Sequence, residues 1–498
     1  MVEYIKGTDR KQLFLFNECL DEIIDKNHIV RFIDAYVDTL EMEQLGFIMP
    51  KLTTGTPPYS PQLKLKIYIY GYFEKIRSSR RLEIECIRNK ELIWLTNALT
   101  PDFKTIADFR KDNHKAFKNI FKEFLKLCHR LELIAFKVAA IDGTKMRGQN
   151  SLNEVYKREN IEKVENEIQE QIKNYLKELD EMDKKEQAGT FSINQDKIKK
   201  ITKCLEKQMK RKDKVEFIKD IFKNNPELKT YFATDNDCRL QSDKGKVRPG
   251  YNPQTAVEDK NKLIIVADVT NEQNDKKQFT PMIKQVIEIK EDLKIKEKTE
   301  GIADSGYYSE KTIIDNIDQD DLQVVITPNA ENKKEVSKEV STEKYQQEDF
   351  KYNKEKDVYI CPEGKELKKG GKKALPDKNG RETFVYKCNS QTCESCAKKD
   401  SCTNGKYGRK LLISANKEKM QTYIENLKTK RNKELIRKRK ELVEHPFGTI
   451  KRNLGYTYFS MKGIEKVKAE FSFISFIYNL KRVLNIVSMD KLQAILSE

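Results

Sequence analysis

The stretch Phe136-Lys-Val-Ala-Ala-Ile-Asp142-Gly-Thr144 decides the fold class of this chain. It follows a helical pattern and is short and nearly all apolar, which is typical of a buried strand. The strand would present the Asp142 carboxylate at its C-terminal end. Further strand patterns occur at 254–258, 263–269, 301–303 and 322–327, and helical patterns at 279–289 and 310–317. This order predicts an α/β sheet interrupted by one long excursion.

The flanking segments suggest separate units. Residues 1–135, with apolar positions every three or four residues in 14–40, 63–73 and 106–131, predict an all-α N-terminal domain. Its basic segment Lys75–Lys90, which includes Arg80 and Arg81, fits a DNA-binding helix-turn-helix or a helical bundle with a solvated basic face. We expect the core at 136–150 and 231–330, a charged helical insertion at 151–230, a linker and cysteine-rich insertion at 331–410, and C-terminal helices at 411–498.

Charge and composition limit the function. The 498 residues carry a net charge of +17, with 35% charged and 38% hydrophobic residues, and the isoelectric point is about 9.1. This excess favours a polyanionic partner, because neutralised phosphates release counterions. The sequence shows no apolar run of about 18 residues, no signal peptide and no Walker or dinucleotide-binding loop, so we expect a cytoplasmic protein without membrane segment or nucleotide cofactor.

Three acidic residues stand where acids are otherwise unexpected. Asp142 and Asp304 each end an apolar strand, and Glu444 lies in a later helix. Carboxylates are the ligands that Mg²⁺ and Mn²⁺ prefer, so the three predict a site for these metals that acts on phosphodiesters. Taken singly, each acid also fits a turn or a helix cap. Asp237 and Asp275 are rival acids that we leave outside the triad.

The segment around Glu444 is strongly basic. Residues 428–452 contain ten basic and three acidic residues, and they overlap a predicted basic helix at 422–442. Lys451 follows Glu444 by seven residues, a spacing that an uninterrupted α-helix would place on one face. We therefore expect DNA contacts from Lys440, Lys451 and Arg452, although a solvated surface helix has the same pattern.

Half of the ten cysteines lie between Cys361 and Cys402. The spacing of Cys393, Cys396 and Cys402, with Cys361 upstream, supplies four thiolates for a structural Zn²⁺. Cys388 is a fifth candidate that could replace one of them. The low apolar content of the segment predicts that it needs the metal to fold; the alternative is a cysteine-rich loop.

Several motifs together resemble bacterial insertion-sequence transposases of the DDE class, particularly the group around insertion sequence 1182. The resemblance covers nearly the whole chain and rests on Phe103-Lys-Thr-Ile-Ala-Asp-Phe-Arg110, Ala140-Ile-Asp-Gly-Thr-Lys145, Arg248-Pro-Gly-Tyr-Asn-Pro-Gln-Thr-Ala-Val257, Ala303-Asp-Ser-Gly-Tyr307 and Val443-Glu-His-Pro-Phe-Gly-Thr-Ile-Lys451.

The resemblance implies an RNase-H-like catalytic fold, two Mg²⁺ ions, cleavage at transposon ends and strand transfer. Asp142, Asp304 and Glu444 would be its triad, and Lys451 its lysine after the glutamate. The sequence departs from a related pattern upstream of the glutamate, where Arg437 replaces a tyrosine and Lys440 an arginine.

The leading hypothesis is a Mg²⁺- or Mn²⁺-dependent transposase that acts as a homodimer on double-stranded DNA, both transposon ends and target. The main alternative is a catalytically inactive, zinc-containing DNA-binding protein derived from a transposase. A general nuclease is a third possibility, which would cut DNA without joining it.

Overall fold

The computed structural model describes residues 20–49, 58–187, 195–243, 245–328, 345–371, 373–377, 381–405 and 407–497. In the N-terminal part, the described residues form six α-helices: α1 Ile29–Asp38, α2 Pro61–Phe73, α3 Ser79–Arg88, α4 Lys90–Leu95, α5 Phe103–Asp112 and α6 His114–Arg130. Side-chain caps define several starts. Ser60 accepts from the Leu63 amide and Ser78 from the Arg81 amide, which satisfies amides that have no partner inside the helix.

The central sheet has five long or buried strands: β1 Val138–Gly143, β6 Lys246–Glu258, β7 Ile264–Thr270, β8 Thr299–Ala303 and β9 Leu322–Ile326. Their spatial order is β7-β6-β1-β8-β9. The pairs β7·β6 and β6·β1 are antiparallel, whereas β1·β8 and β8·β9 are parallel. Ten consecutive residues of β6 are buried, which indicates that both faces of the sheet are covered.

Two short strands extend one end of this sheet. Strands β2 (Met146–Arg147) and β5 (Arg239–Asp243) both pair with the first half of β6. Helices α9 (Phe279–Asp292) and α10 (Glu310–Ile317) connect the later strands and pack against them.

The excursion after β2 is a helical hairpin. Strands β3 (Val155–Lys157) and β4 (Thr230–Phe232) pair at its base, and helices α7 (Ile161–Gln187) and α8 (Gln195–Asn224) pack against each other. A small core holds them together, made of Tyr156, Ile161, Ile168, Val215, Ile218 and Phe222.

A second sheet follows β9. It contains β10 Lys351–Asn353, β11 Val358–Ile360, β12 Glu366–Lys369, β13 Leu375–Pro376, β14 Glu382–Lys387 and β15 Lys410–Ser414, with the short helix α11 Ser390–Glu394 before β15. It has its own apolar core, including Phe350, Tyr359 and Leu367. The expectation that this segment holds too little apolar surface to pack was therefore wrong.

The chain ends in four helices: α12 Lys417–Asn426, α13 Lys430–Gly448, α14 Ile464–Leu484 and α15 Met489–Ser497. Helix α13 packs across β1, β8 and β9, and α14 packs against β7, α2 and α6. One apolar core runs from the N-terminal helices through the central sheet to α15. No helix in the described part of the chain is both long enough and apolar enough to cross a membrane.

Several expected bounds differ from the structure. The single basic helix expected at 422–442 is two helices, α12 and α13, because Thr429 caps a new helix by accepting from the Asn432 amide. The expected helix 106–131 breaks between α5 and α6 at Asn113. Part of the expected linker is structured, since β10 begins at Lys351, and its residues 331–344 lie outside the described residues.

Candidate active site

Two of the expected acids lie side by side at one edge of the central sheet. In the parallel pair β1·β8, Ile141 is opposite Ala303. Asp142 and Asp304 are the next residues on the two strands. Because the C-terminal ends of parallel strands meet at the same edge, the sheet brings these two carboxylates together.

The pair is electrostatically strained without a cation. Burial and, after it, the negative charge of Asp304 raise the pKa of Asp142 to about 7. Asp304 also accepts from the Gly306 amide at 2.8 Å and so caps the short turn 305–307. Asp304 therefore both caps this turn and belongs to the acidic pair. Two neighbouring carboxylates of this kind fit a divalent cation.

A polar network borders the pair. Asp275 accepts from the Asn252 and Gln254 side-chain amides at 2.7 and 2.9 Å. Gln254 in turn accepts from the buried Tyr307 hydroxyl at 2.5 Å. Asp275 is near enough to raise the pKa of Asp142, after the effects of burial and Asp304.

Gly143 is required by this close packing. A Cβ atom there would lie 2.1 Å from Gln254 Nε2 and 3.0 Å from Asp275 Oδ1. The Asp-Gly pair therefore ends the strand and also lets the network approach Asp142.

Asp237, the other rival acid, lies at the start of a helix. Asp237 accepts from the Ile464 amide at 2.8 Å, and buried Asp235 accepts from the Gly463 amide at 3.1 Å. Both carboxylates satisfy amides at the start of α14, where negative charge is also favoured by the helix dipole. Asp237 is thus a capping residue.

Helix α13 presents Arg439, and not Glu444, to the acidic pair. Its buried face consists of Asn432, Leu435, Leu442, Val443 and Pro446. Arg439 is half-buried on that face, and its guanidinium lowers the pKa of Asp142, opposing burial and Asp304. Glu444 is exposed, and five residues correspond to about 140° around the helix from Arg439. The seven-residue spacing of Arg439 from Asn432 and from Pro446 is the signal in the sequence that could have identified it.

Within the described residues, no three His, Cys, Asp or Glu side chains are placed to hold a metal ion together. The structure therefore places Asp142 beside Asp304 and leaves Glu444 apart from them. The same holds for the expected zinc ligands Cys361, Cys393, Cys396 and Cys402, no three of which are placed to hold a metal ion.

Lys451 does not continue the face of α13. The helix ends at Gly448, and residues 449–453 form a π-helical turn, which changes the angular spacing. The extrapolation of one α-helical face from Glu444 to Lys451 was wrong for this reason. Lys451 Nζ donates to the Lys145 carbonyl oxygen at 2.8 Å, next to the end of β1. Lys440 and Arg452 are exposed.

The expected N-terminal DNA contacts lie on α3. Arg80 is exposed, and its guanidinium carbon lies 4.9 Å from the centre of the Phe103 ring. Arg81 lies 3.6 Å from the Glu85 carboxylate. Both side chains remain on the surface of the helix.

The five clustered cysteines converge in the second sheet. Cys361, Cys388, Cys393, Cys396 and Cys402 line one cavity of about 30 Å³. The Lys365 amide donates to Cys361 Sγ at 3.2 Å. Burial raises the pKa of Cys388 to about 12, and the neighbouring Cys393 thiol adds to the shift.

Residues 360–484 match the model of a family described as a transposase DDE domain, and residues 18–112 match one described as a transposase domain, DUF772.

These matches support a DDE transposase. The first matched segment contains all five clustered cysteines, Glu444 and Lys451, whereas Asp142 and Asp304 lie outside both segments. No curated protein and no solved structure matches the chain.

Proposed function

We propose that this protein is a DDE transposase of the group around insertion sequence 1182, which cuts transposon ends and joins them to target DNA. The single observation that carries the proposal is the position of Asp142 beside Asp304, directly after the paired residues Ile141 and Ala303 of two adjacent parallel strands. The two transposase-family matches support it independently.

The strand order supports an RNase-H-like catalytic core. Three antiparallel strands, β7, β6 and β1, continue into the parallel strands β8 and β9. This mixed order is the one expected for such a core, and the helical hairpin and the second sheet are insertions into it. We propose that Glu444 completes the triad when DNA and metal bind, through a change in the setting of α13.

Asp142 and Asp304 would hold Mg²⁺ or Mn²⁺, which would stabilise charge on the attacking and leaving oxygens of the phosphodiester. The raised pKa of Asp142 supports this assignment, because two partly buried carboxylates favour a cation between them. The chain's own contribution is to orient these acids: the Asp275 network restrains the end of β1, and the Gly306 amide restrains Asp304. Exposed Lys440 and Arg452 would bind DNA phosphates, together with Lys451, Arg80 and Arg81.

A structural Zn²⁺ is a separate part of the proposal. Thiolates suit zinc and are poor ligands for magnesium. Five cysteines line one cavity of the second sheet, and we propose that zinc draws four of them together, since no three of them are placed to hold a metal ion in the described residues as they stand. Cys361, Cys393, Cys396 and Cys402 would bind it, with Cys388 able to replace one of them. Because joining two DNA ends needs two active sites, we propose that a homodimer acts on double-stranded DNA.

The test is the loss of metal-dependent cleavage in Asp142→Ala, Asp304→Ala and Glu444→Ala. We expect each variant to lose cleavage by at least about three orders of magnitude while DNA binding stays measurable, because no neighbouring group replaces a metal ligand. Asp237→Ala serves as the control, since that carboxylate caps α14. Near-normal cleavage in one variant would remove that residue from the triad.

The same assay separates the alternatives. Wild-type protein that binds DNA without any cleavage in Mg²⁺ or Mn²⁺ would favour a catalytically inactive DNA-binding protein. Cleavage without joining of the cut 3′-hydroxyl ends to a second DNA would favour a general nuclease.

A further inference from the structure

A basic groove begins beside the acidic pair. One cavity of about 300 Å³ lies between the β5–β6 hairpin and the chain that follows β1. Five cationic side chains and one carboxylate, that of Asp243, are among its lining residues; the cations are Lys145, Arg147, Lys246, Arg248 and Lys451. A second cavity of about 660 Å³ shares Arg147, Arg248 and Pro249 with the first and ends at Tyr458. The shared residues place the two cavities next to each other, and together they are called the basic groove here.

The groove comes close to the acidic pair through the Asp275 network. Lys145 is three residues after Asp142, and its ammonium nitrogen lies 3.8 Å from Asp275 Oδ1. Five residues of extended chain reach at most about 18 Å, so Arg147 lies within that distance of Asp142. At about 3.4 Å per nucleotide along a DNA strand, this span corresponds to a few nucleotides.

Three of the cationic side chains in the groove are not neutralised by a carboxylate of a described residue. No ion pair within the described residues involves Arg147, Lys246 or Arg248, and all three side chains are exposed. Tyr458 positions two guanidinium groups instead of neutralising them: its ring centre is 4.3 Å from the Arg77 guanidinium carbon and 5.7 Å from that of Arg147. The Arg77 guanidinium also donates to the Tyr458 carbonyl oxygen at 2.8 Å.

We infer that this groove binds the phosphodiester backbone of the DNA strand that flanks the bond to be cut. Like charges lining one concavity repel each other, and a concave wall concentrates their field on an anion that enters. The successive phosphates of one DNA strand can neutralise all of these positive charges, whereas one small anion cannot. The inference rests on the proposed function for the identity of the strand, and it assigns contacts to Arg147, Lys246 and Arg248 beyond those of α13 and α3.

The test uses the double variant Arg147→Gln/Arg248→Gln and a short DNA duplex of arbitrary sequence. Each lost phosphate contact lowers the slope of log affinity against log salt by about 0.9, so we expect a decrease of about 1.8 for two contacts. The matched control, Lys207→Gln/Arg211→Gln, removes two exposed charges from α8 and should keep the wild-type slope. The variant Arg147→Lys/Arg248→Lys keeps the charges and should restore most of the slope.

Two results would overturn the inference: an unchanged slope in the glutamine variant, or an equal decrease in the α8 control. The lysine variant separates loss of charge from misfolding. A folding defect caused by loss of the guanidinium groups would also occur in this variant, whereas an effect of charge would not. If wild-type protein cleaves DNA and the glutamine variant keeps the wild-type slope of log affinity against log salt, the inference about the groove is wrong and the proposed function stands. Wild-type protein that neither binds nor cleaves DNA in Mg²⁺ or Mn²⁺ would refute the proposed function as well.

Discussion

At the scale of single residues, the environment of each acid decides what it does. Asp142 is held beside Asp304 and its pKa is raised to about 7 by burial and by that neighbour. Asp237, which is also an aspartate near a strand, instead accepts a hydrogen bond from the Ile464 amide at the start of α14. Identical carboxyl groups thus divide between a candidate metal site and a helix cap according to what the fold places next to them.

The first prediction at this scale concerns the protein in a chelator. A carboxyl whose pKa is raised from about 4 to about 7 stabilises the folded state at low pH, and this stabilisation is lost as the pH rises through 7. Asp142→Asn should therefore stabilise the metal-free protein at pH 8 by roughly 4 kcal/mol, and the gain should fall to roughly 1.5 kcal/mol at pH 5, which is closer to the ordinary pKa of the carboxyl. Denaturant unfolding at both pH values measures it.

Asp213→Asn, an exposed acid on α8, is the control and should change little. Added Mg²⁺ should stabilise the wild-type protein and leave Asp142→Asn nearly unaffected. If Asp142→Asn is less stable than wild type at pH 8 without metal, the charged Asp142 carboxylate does not destabilise the folded protein, and the prediction is wrong.

At the scale of elements, a local change of backbone geometry moves side chains that a regular α-helical repeat would place on one face. The π-helical turn after α13 moves Lys451 to the end of β1, where it contacts the Lys145 carbonyl. In the second sheet, the strands bring five cysteines separated by up to 41 positions around one cavity. The sheet has its own apolar core, so zinc would order the loops that carry the thiols and not the whole unit.

The prediction for this element is about one zinc per chain in protein purified without added metal, by the four-thiolate stoichiometry. Cys393→Ser/Cys396→Ser should lose the zinc and become sensitive to protease between residues 388 and 409, because these loops then lose their cross-link. Elemental analysis and mapping of the cleavage sites measure the two effects.

Cys204→Ser, at an exposed position on α8, is the matched control and should keep both zinc and protease resistance. Zinc-free wild-type protein with a double variant that resists protease equally would reduce the cluster to a cysteine-rich loop.

At the scale of the whole molecule, the two ends of the chain share one core with the sheet. Helix α14 packs between the N-terminal helices and β7. Its buried Glu470 accepts from the Ser460 and Met461 amides and from the Tyr72 hydroxyl of α2, and lies 3.7 Å from the Arg77 guanidinium. The N-terminal helices are therefore joined to α14, which packs on the central sheet, by buried polar contacts as well as by apolar packing.

The prediction at this scale is that Glu470→Ala lowers the free energy of unfolding by about 3 kcal/mol, because it leaves buried donors and a cation without a partner. Urea unfolding, followed in both the N-terminal helices and the central sheet, should show one shared transition. Glu465→Ala, at an exposed position on the same helix, should cost little. Equal effects of the two substitutions would contradict this role of Glu470.

The sequence alone determined the elements with strong local signals. Helix α10 has the bounds expected from its pattern, and β1, β7, β8 and β9 lie within a few residues of the predicted strands. Hydrophobic periodicity and helix caps act between residues that are close along the chain, so they can be read without a structure.

Only the tertiary structure decided which of these elements meet. Strand pairing brings Asp142 to Asp304 across 162 positions, places Asp275 beside them and assigns Asp237 to α14. The side of α13 that faces the sheet determines that Arg439 points towards the acids while Glu444 is exposed. These outcomes depend on register, packing and charge between distant segments, for which a single sequence carries no local pattern.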